Sequence, residues 1–118
     1  MRSRLKSFIY AFRGIGQLFL TQPNARIHAV AMLGVIAGGL VFHVTAIEWC
    51  LLVSSIVAVL GAEAMNSAVE TLADEVSEER RERIGRAKDL AAGAVLLISM
   101  GAAIVGGVIF GRHLLFSS

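Results

Sequence analysis

Four polar side chains recur at helical spacing in the second long apolar segment of the sequence. Glu63, Asn66, Glu70 and Asp74 are separated by 3, 4 and 4 positions. At the helical rotation of 100° per residue, they fall within an arc of about 80° on one face. Carboxylates inside a bilayer are costly and usually face a polar cavity or a partner. The stripe therefore predicts a polar site on this face.

The depth of this stripe in a membrane suggests what the site does. Glu63 follows Ile47 by about 24 Å along a helix axis, near the edge of the hydrocarbon, and Glu70 lies about 10 Å further, in the headgroup or aqueous zone. Such a stripe suits a reaction between a lipid headgroup and a water-soluble cosubstrate. Mg²⁺, which accompanies nucleoside triphosphates, prefers carboxylate oxygens, and Glu70 is its expected ligand.

A second charged pair, Lys88 and Asp89, is predicted to open the third apolar helix. The first N–H groups of a helix favour anions, so Lys88 is expected to hold phosphate oxygens there. The sequence has neither of the usual glycine-rich phosphate-binding motifs. From the residues alone, three readings stay open: a lipid-modifying enzyme, a channel or transporter subunit, and polar helix packing without catalysis.

The composition indicates a helical membrane protein. Of 118 residues, 56% are hydrophobic and 17% charged, and the mean hydropathy is +0.72, which excludes a soluble monomer and a disordered chain. The net charge of +2 is too small to indicate nucleic acid. The single cysteine, Cys50, cannot form an intrachain disulfide. We predict one all-α domain over 1–118, with spans at about 27–44, 47–72 and 88–116.

The N-terminal segment differs from these spans. Its apolar residues recur at helical spacing among basic ones, which predicts an amphipathic surface helix over about 4–20 that ends near Pro23. Ten of the eleven Lys and Arg lie in residues 2–26 or 80–88. The positive-inside rule then places the N-terminus and the loop near 75–87 in the cytoplasm.

The polar stripe closely resembles a signature of the small bacterial diacylglycerol kinase and undecaprenol kinase family. The matching block is Glu63-Ala-Met-Asn66-Ser-Ala-Val-Glu70-Thr-Leu-Ala-Asp74, followed fourteen residues later by Lys88. The N-terminal Phe8-Ile-Tyr10-Ala-Phe-Arg-Gly14 is similar too. The resemblance implies ATP- and Mg²⁺-dependent phosphorylation of a lipid hydroxyl in the bacterial inner membrane. It also implies a homotrimer whose active sites are shared between neighbouring chains.

The resemblance also implies residue roles. Glu63 would be the general base and Asn66 would position the reacting groups. Glu70 would bind the metal, while Lys88 and Asp89 would hold the nucleotide. Two further nucleotide contacts are expected at Tyr10 and Glu79, and Arg26 is assigned to the lipid substrate together with Glu63 and Asn66.

One position departs from the family pattern. Gln22 stands where the family commonly has an acidic metal ligand, so it offers a neutral carbonyl oxygen without a charge. The pattern Asn24, Arg26-Ile-His28 leans toward the undecaprenol kinase branch, although diacylglycerol stays a possible substrate. The rival interpretation is a noncatalytic oligomeric channel or transporter subunit.

Several other residues are expected to have structural roles. His28 and His43 are predicted to be interfacial residues rather than ligands, and Glu48 is predicted to be a solvated helix start. Small-residue pairs are expected to mark helix contacts; they are Gly34 with Gly38 and Gly107 with Gly111.

Overall fold

The computed structural model describes residues 2–77, 79 and 81–116, and this part of the chain is almost entirely α-helical. The elements are α1 (Arg2–Thr21), α2 (Pro23–Phe42), α3 (Ala46–Val76) and α4 (Glu82–Phe116). By length and composition, α2, α3 and α4 can each cross a membrane. The predicted all-helical class with three candidate spans is therefore confirmed.

The first break in the helices falls at Gln22. Pro23 is the first residue of α2, where its missing N–H would have no intrahelical partner in any case. The Arg26 side chain folds back over this joint. Its Nε donates to the carbonyl oxygen of Phe19 at 2.8 Å, and its Nη2 donates to that of Leu20. Arg26 thereby satisfies two C-terminal carbonyls of α1 and ties α1 to α2.

The second break is a short turn closed by a helix cap. His43 ends α2 in the left-handed conformation, with φ 54°. Thr45 then forms a capping box for α3: its hydroxyl accepts from the Glu48 N–H at 3.2 Å, and its own N–H donates to Glu48 Oε1 at 2.9 Å. This reciprocal pair fixes the start of α3 at Ala46.

The third predicted membrane span corresponds to α4, which begins earlier in the chain than predicted. We predicted its start near Lys88, whereas α4 begins at Glu82. The additional turns are charged rather than apolar, and Glu82 pairs with Arg86 at 3.5 Å one turn later. Lys88 therefore lies well inside α4, and the expected role of the helix N-terminus beside it is wrong.

Helices α3 and α4 form the main packing unit and run antiparallel. The buried apolar cluster lies near the Thr45 end and consists of Val44, Leu52 and Ile109, with Trp49 and Phe110 packed against it. Gly39 lies under the Trp49 ring, since an added Cβ would come within 2.4 Å of it. Most large apolar side chains on all four helices are exposed, which leaves wide surfaces for lipid or other chains.

The small residues only partly match their predicted role. Gly38 contacts α4, because a Cβ added there would lie 3.1 Å from the Phe110 ring. A Cβ added at Gly34, Gly107 or Gly111 would meet nothing within 4 Å. Of these four glycines, Gly38 is the one whose small size is explained by a contact within the described chain.

Candidate functional site

Glu63 is the buried acid of the stripe. It is 4% exposed and is the one charged or polar residue in the buried set of the described chain. Its Oε1 lies 3.3 Å from Nε2 of His28 on α2. A buried carboxylate is costly without a polar or charged partner, and the His28 imidazole is the group within ion-pair distance of it. The prediction that His28 is merely an interfacial residue missed this contact.

Asn66 lies one turn further along α3. Its Oδ1 is buried and has no hydrogen-bond partner among the described residues. Asn66 also borders an open groove of about 630 Å³ between α3 and α4. The rest of this groove is lined by small and apolar residues such as Gly61, Ala87 and Ala91. Buried amide oxygens are normally satisfied, so this oxygen is available to accept from a ligand group or to bind a cation.

Lys88 and Asp74 join the inner ends of α3 and α4. Lys88 Nζ lies 2.6 Å from Asp74 Oδ1, and their side chains are 31% and 62% exposed, respectively. The structure thus brings the predicted phosphate-binding lysine to the last acid of the stripe. Because both groups are accessible to water, the pair is a weak structural link and leaves the ammonium open to other anions.

Glu70 is half-buried between Asn66 and Asp74 on the stripe. Within the described residues, no three acidic, histidine or cysteine side chains converge into a group that could hold a metal. Mg²⁺ commonly takes one or two carboxylates and completes its shell with water and substrate phosphates. Glu70 and the unsatisfied Asn66 oxygen one turn away fit such a sparse donor set.

The remaining predicted site residues are spread over α1, the α3–α4 connection and α4. Tyr10 is exposed on α1, with the Arg13 guanidinium 5.5 Å from its ring centre. Glu79 is exposed in the α3–α4 connection, and its N–H donates to the Ser77 hydroxyl at 3.2 Å. Asp89 is exposed on α4. The contacts described for Tyr10 and Glu79 do not involve Glu63.

Gln22 and Arg26 sit at the joint between α1 and α2. Gln22 is half-buried and precedes α2 without using its side chain as a cap, so its amide is not committed to the helix. The Arg26 guanidinium, by contrast, is bound to carbonyls of α1. This gives Arg26 a structural task besides the predicted contact with substrate.

A second acid–histidine pair lies at the opposite end of the bundle. Glu48 Oε1 is 3.0 Å from His113 Nε2, and the Glu48 side chain is 16% exposed. Glu48 lies in the first turn of α3, close to the predicted helix start, but its side chain is paired with His113 and is not simply solvated. The antiparallel packing of α3 and α4 brings His113 to it, and no local sequence pattern signals a contact between residues so far apart.

Comparison with known proteins identifies the family. A family model described as prokaryotic diacylglycerol kinase matches residues 9–110. A diacylglycerol kinase of Synechocystis sp. is 40% identical over 104 residues, which cover 87% of this chain and 59% of that protein.

Two further relatives match over most of their own length. An undecaprenol kinase of Bacillus subtilis is 33% identical, with 89% of this chain and 85% of that protein covered. A diacylglycerol kinase of Escherichia coli is 31% identical, with 92% and 89% covered. The names of these relatives denote lipid kinases, and the matches show that this chain belongs to the prokaryotic diacylglycerol kinase family.

Proposed function

We propose that this protein phosphorylates a membrane lipid alcohol, using ATP with Mg²⁺. The observation that carries the proposal is the buried carboxylate of Glu63, placed on the same helix face as Asn66, Glu70 and Asp74, with Lys88 bound at the end of that face. A proton acceptor at lipid depth and a cation at the aqueous end are what phosphoryl transfer to a lipid hydroxyl requires.

Each residue has a defined part in the proposed reaction. Glu63 takes the proton from the lipid hydroxyl as that oxygen forms a bond to the γ-phosphorus of ATP. The bond between the γ-phosphorus and its bridging oxygen breaks, and ADP leaves. Asn66 helps to position the reacting groups, and Lys88 neutralises phosphate charge. Little covalent chemistry falls to the protein, so positioning and electrostatics dominate.

The divalent ion would be held by Glu70, with Gln22 as a neutral oxygen donor at the place where an acid is common in the family. When bound, Mg²⁺ supplies charge stabilisation for the transferring phosphoryl group. Tyr10, Glu79 and Asp89 are proposed contacts to the nucleotide. Three candidate spans are too few to enclose a polar site in lipid, so we further propose a homotrimer in which neighbouring chains complete each site.

The proposal places the protein in the bacterial inner membrane with its N-terminus and site on the cytoplasmic side. Helix α1 would lie on the membrane surface. Two substrates are considered, undecaprenol and diacylglycerol, and relatives of both names match the chain. The pattern of Asn24, Arg26 and His28 favours undecaprenol.

The deciding experiment measures transfer of label from γ-labelled ATP to lipid. The purified protein is assayed in mixed micelles with Mg²⁺ and with each lipid alcohol in parallel. Transfer of label to a lipid is expected, with faster turnover of undecaprenol. Glu63→Gln should abolish transfer without changing the oligomer, because the amide cannot accept the proton. Transfer to neither lipid would instead favour the noncatalytic channel or transporter subunit, and full activity of Glu63→Gln would remove Glu63 as the base.

A further inference from the structure

We infer that His28 is a positioning residue for this kinase: it holds one oxygen of the Glu63 carboxylate so that the other faces the lipid hydroxyl. The inference rests on the proposed function, because it assigns His28 a part in the work of the base. It arises from a polar side-chain contact to the buried acid, Nε2 to Oε1 at 3.3 Å.

The environment of the pair favours this role over a solvated contact. Glu63 is almost fully buried, whereas the His28 side chain is 30% exposed. His28 also borders a largely apolar cavity of about 190 Å³ between α2, α3 and α4, with Leu52 and Val59 in its walls. The cavity walls limit where the imidazole can move.

The chemistry of the two groups fixes which of them can donate a hydrogen across this 3.3 Å contact. An ionised carboxylate has no proton to donate, so the proposed hold on Oε1 requires that Nε2 of His28 carries the hydrogen. The terminal torsion of a glutamate is broad and has no sharply preferred angle. A donor from a second helix therefore restricts the carboxylate plane, and a restricted base spends more time in the geometry that accepts a proton.

The position of His28 in the fold makes the contact specific. It lies in the second turn of α2, whereas Glu63 lies past the middle of α3. His43, at the other end of α2, is exposed and has no part in the stripe. The two histidines thus offer a matched comparison on a single helix.

The test uses three substitutions of His28 and one control. Gln places its amide nitrogen near the place of Nε2 and can donate to Glu63, whereas Asn is too short and Ala has no donor. His43→Asn is the control, since Asn tolerates the left-handed backbone of that residue. Each full-length variant is assayed in mixed micelles for kcat, for KM of ATP and of the lipid, and for oligomer size.

If His28 positions Glu63, its loss should lower kcat and leave the KM for ATP nearly unchanged. His28→Asn and His28→Ala should lower kcat about tenfold, because the base is misoriented in a fraction of encounters. The KM for ATP should stay within about twofold, since uniform binding is untouched. His28→Gln should recover most of the wild-type kcat, and His43→Asn should match the wild type.

Other outcomes overturn the inference. An unchanged kcat in His28→Asn would show that Glu63 needs no partner, and a raised KM for ATP at unchanged kcat would move His28 to nucleotide binding. Equal loss of kcat in the Gln and Asn variants would show that the imidazole acts by packing. If His28→Ala fails to assemble, the Gln and Asn pair still decides the question. Absence of lipid phosphorylation by the wild type is a separate result, which refutes the proposed function itself.

Discussion

Substitutions of Lys88 and of its partner Asp74 distinguish a structural role of the lysine from a catalytic one. Its ammonium lies 2.6 Å from the Asp74 carboxylate, in a pair that is partly open to water. If that pair were its whole purpose, removing either partner would have the same effect. We therefore compare Lys88→Met, which keeps most of the apolar stem, with Asp74→Asn, which keeps the lysine charge.

The two roles differ widely in expected magnitude. An ion pair as exposed as this one contributes about 0.2–1 kcal/mol to stability, so either substitution should change the free energy of unfolding by less than about 1 kcal/mol. A cation that faces the transferring phosphoryl group contributes far more in the transition state. Losing one such electrostatic stabiliser costs about 10²–10³ in kcat, or about 2.7–4 kcal/mol.

The assay measures kcat and KM for ATP in mixed micelles, alongside the denaturation midpoint of each variant. Lys88→Met should lose most of its kcat at nearly unchanged stability, whereas Asp74→Asn should retain kcat within about tenfold. Equal small losses in both variants would refute the reasoning and leave Lys88 as a partner of Asp74 alone.

Three further predictions concern packing, capping and the metal. Gly39→Ala should destabilise the protein by about 1–3 kcal/mol, because its Cβ would press on the Trp49 ring; Gly34→Ala is the open-space control, and equal melting temperatures for both would refute the packing. Thr45→Ala should cost about 1 kcal/mol through loss of the capping box, and Thr45→Ser should restore the melting temperature; a midpoint unchanged in the Ala variant would contradict this. Gln22→Glu should shift the Mg²⁺ titration of activity to lower concentration, because a carboxylate binds this ion better than an amide; an unshifted titration would exclude Gln22 from the metal.

The number of helices followed from the sequence because each apolar run is long enough to cross a bilayer. The break at Pro23 was also predictable, since proline restricts both itself and the residue before it. The start of α4 was not. Hydropathy marks where a helix is apolar, and the charged turns after Glu82 are helical without being apolar.

Only the part of the site that lies on α3 could be predicted from the sequence. The spacing of Glu63, Asn66, Glu70 and Asp74 follows from a single periodicity. The contact between Glu63 and His28 depends on how α2 packs on α3, and residue spacing contains no signal for it. Lys88 was expected to bind phosphate. Its contact with Asp74 was not predicted, because that contact depends on the antiparallel packing of α3 against α4.

The apolar cluster and the Trp49–Gly39 contact hold the bundle together at its Thr45 end, whereas the far end of the α3–α4 pair is joined by the exposed Lys88–Asp74 link. Helix α3 has 31 residues and is about 46 Å long, so a tilt of about 5° about the Thr45 end displaces its other end by about 4 Å. Helices tilt to match the thickness of the surrounding bilayer. The acyl-chain length of the host lipids is therefore a variable that sets the spacing around the carboxylates, and turnover numbers from thin and thick membranes need not agree.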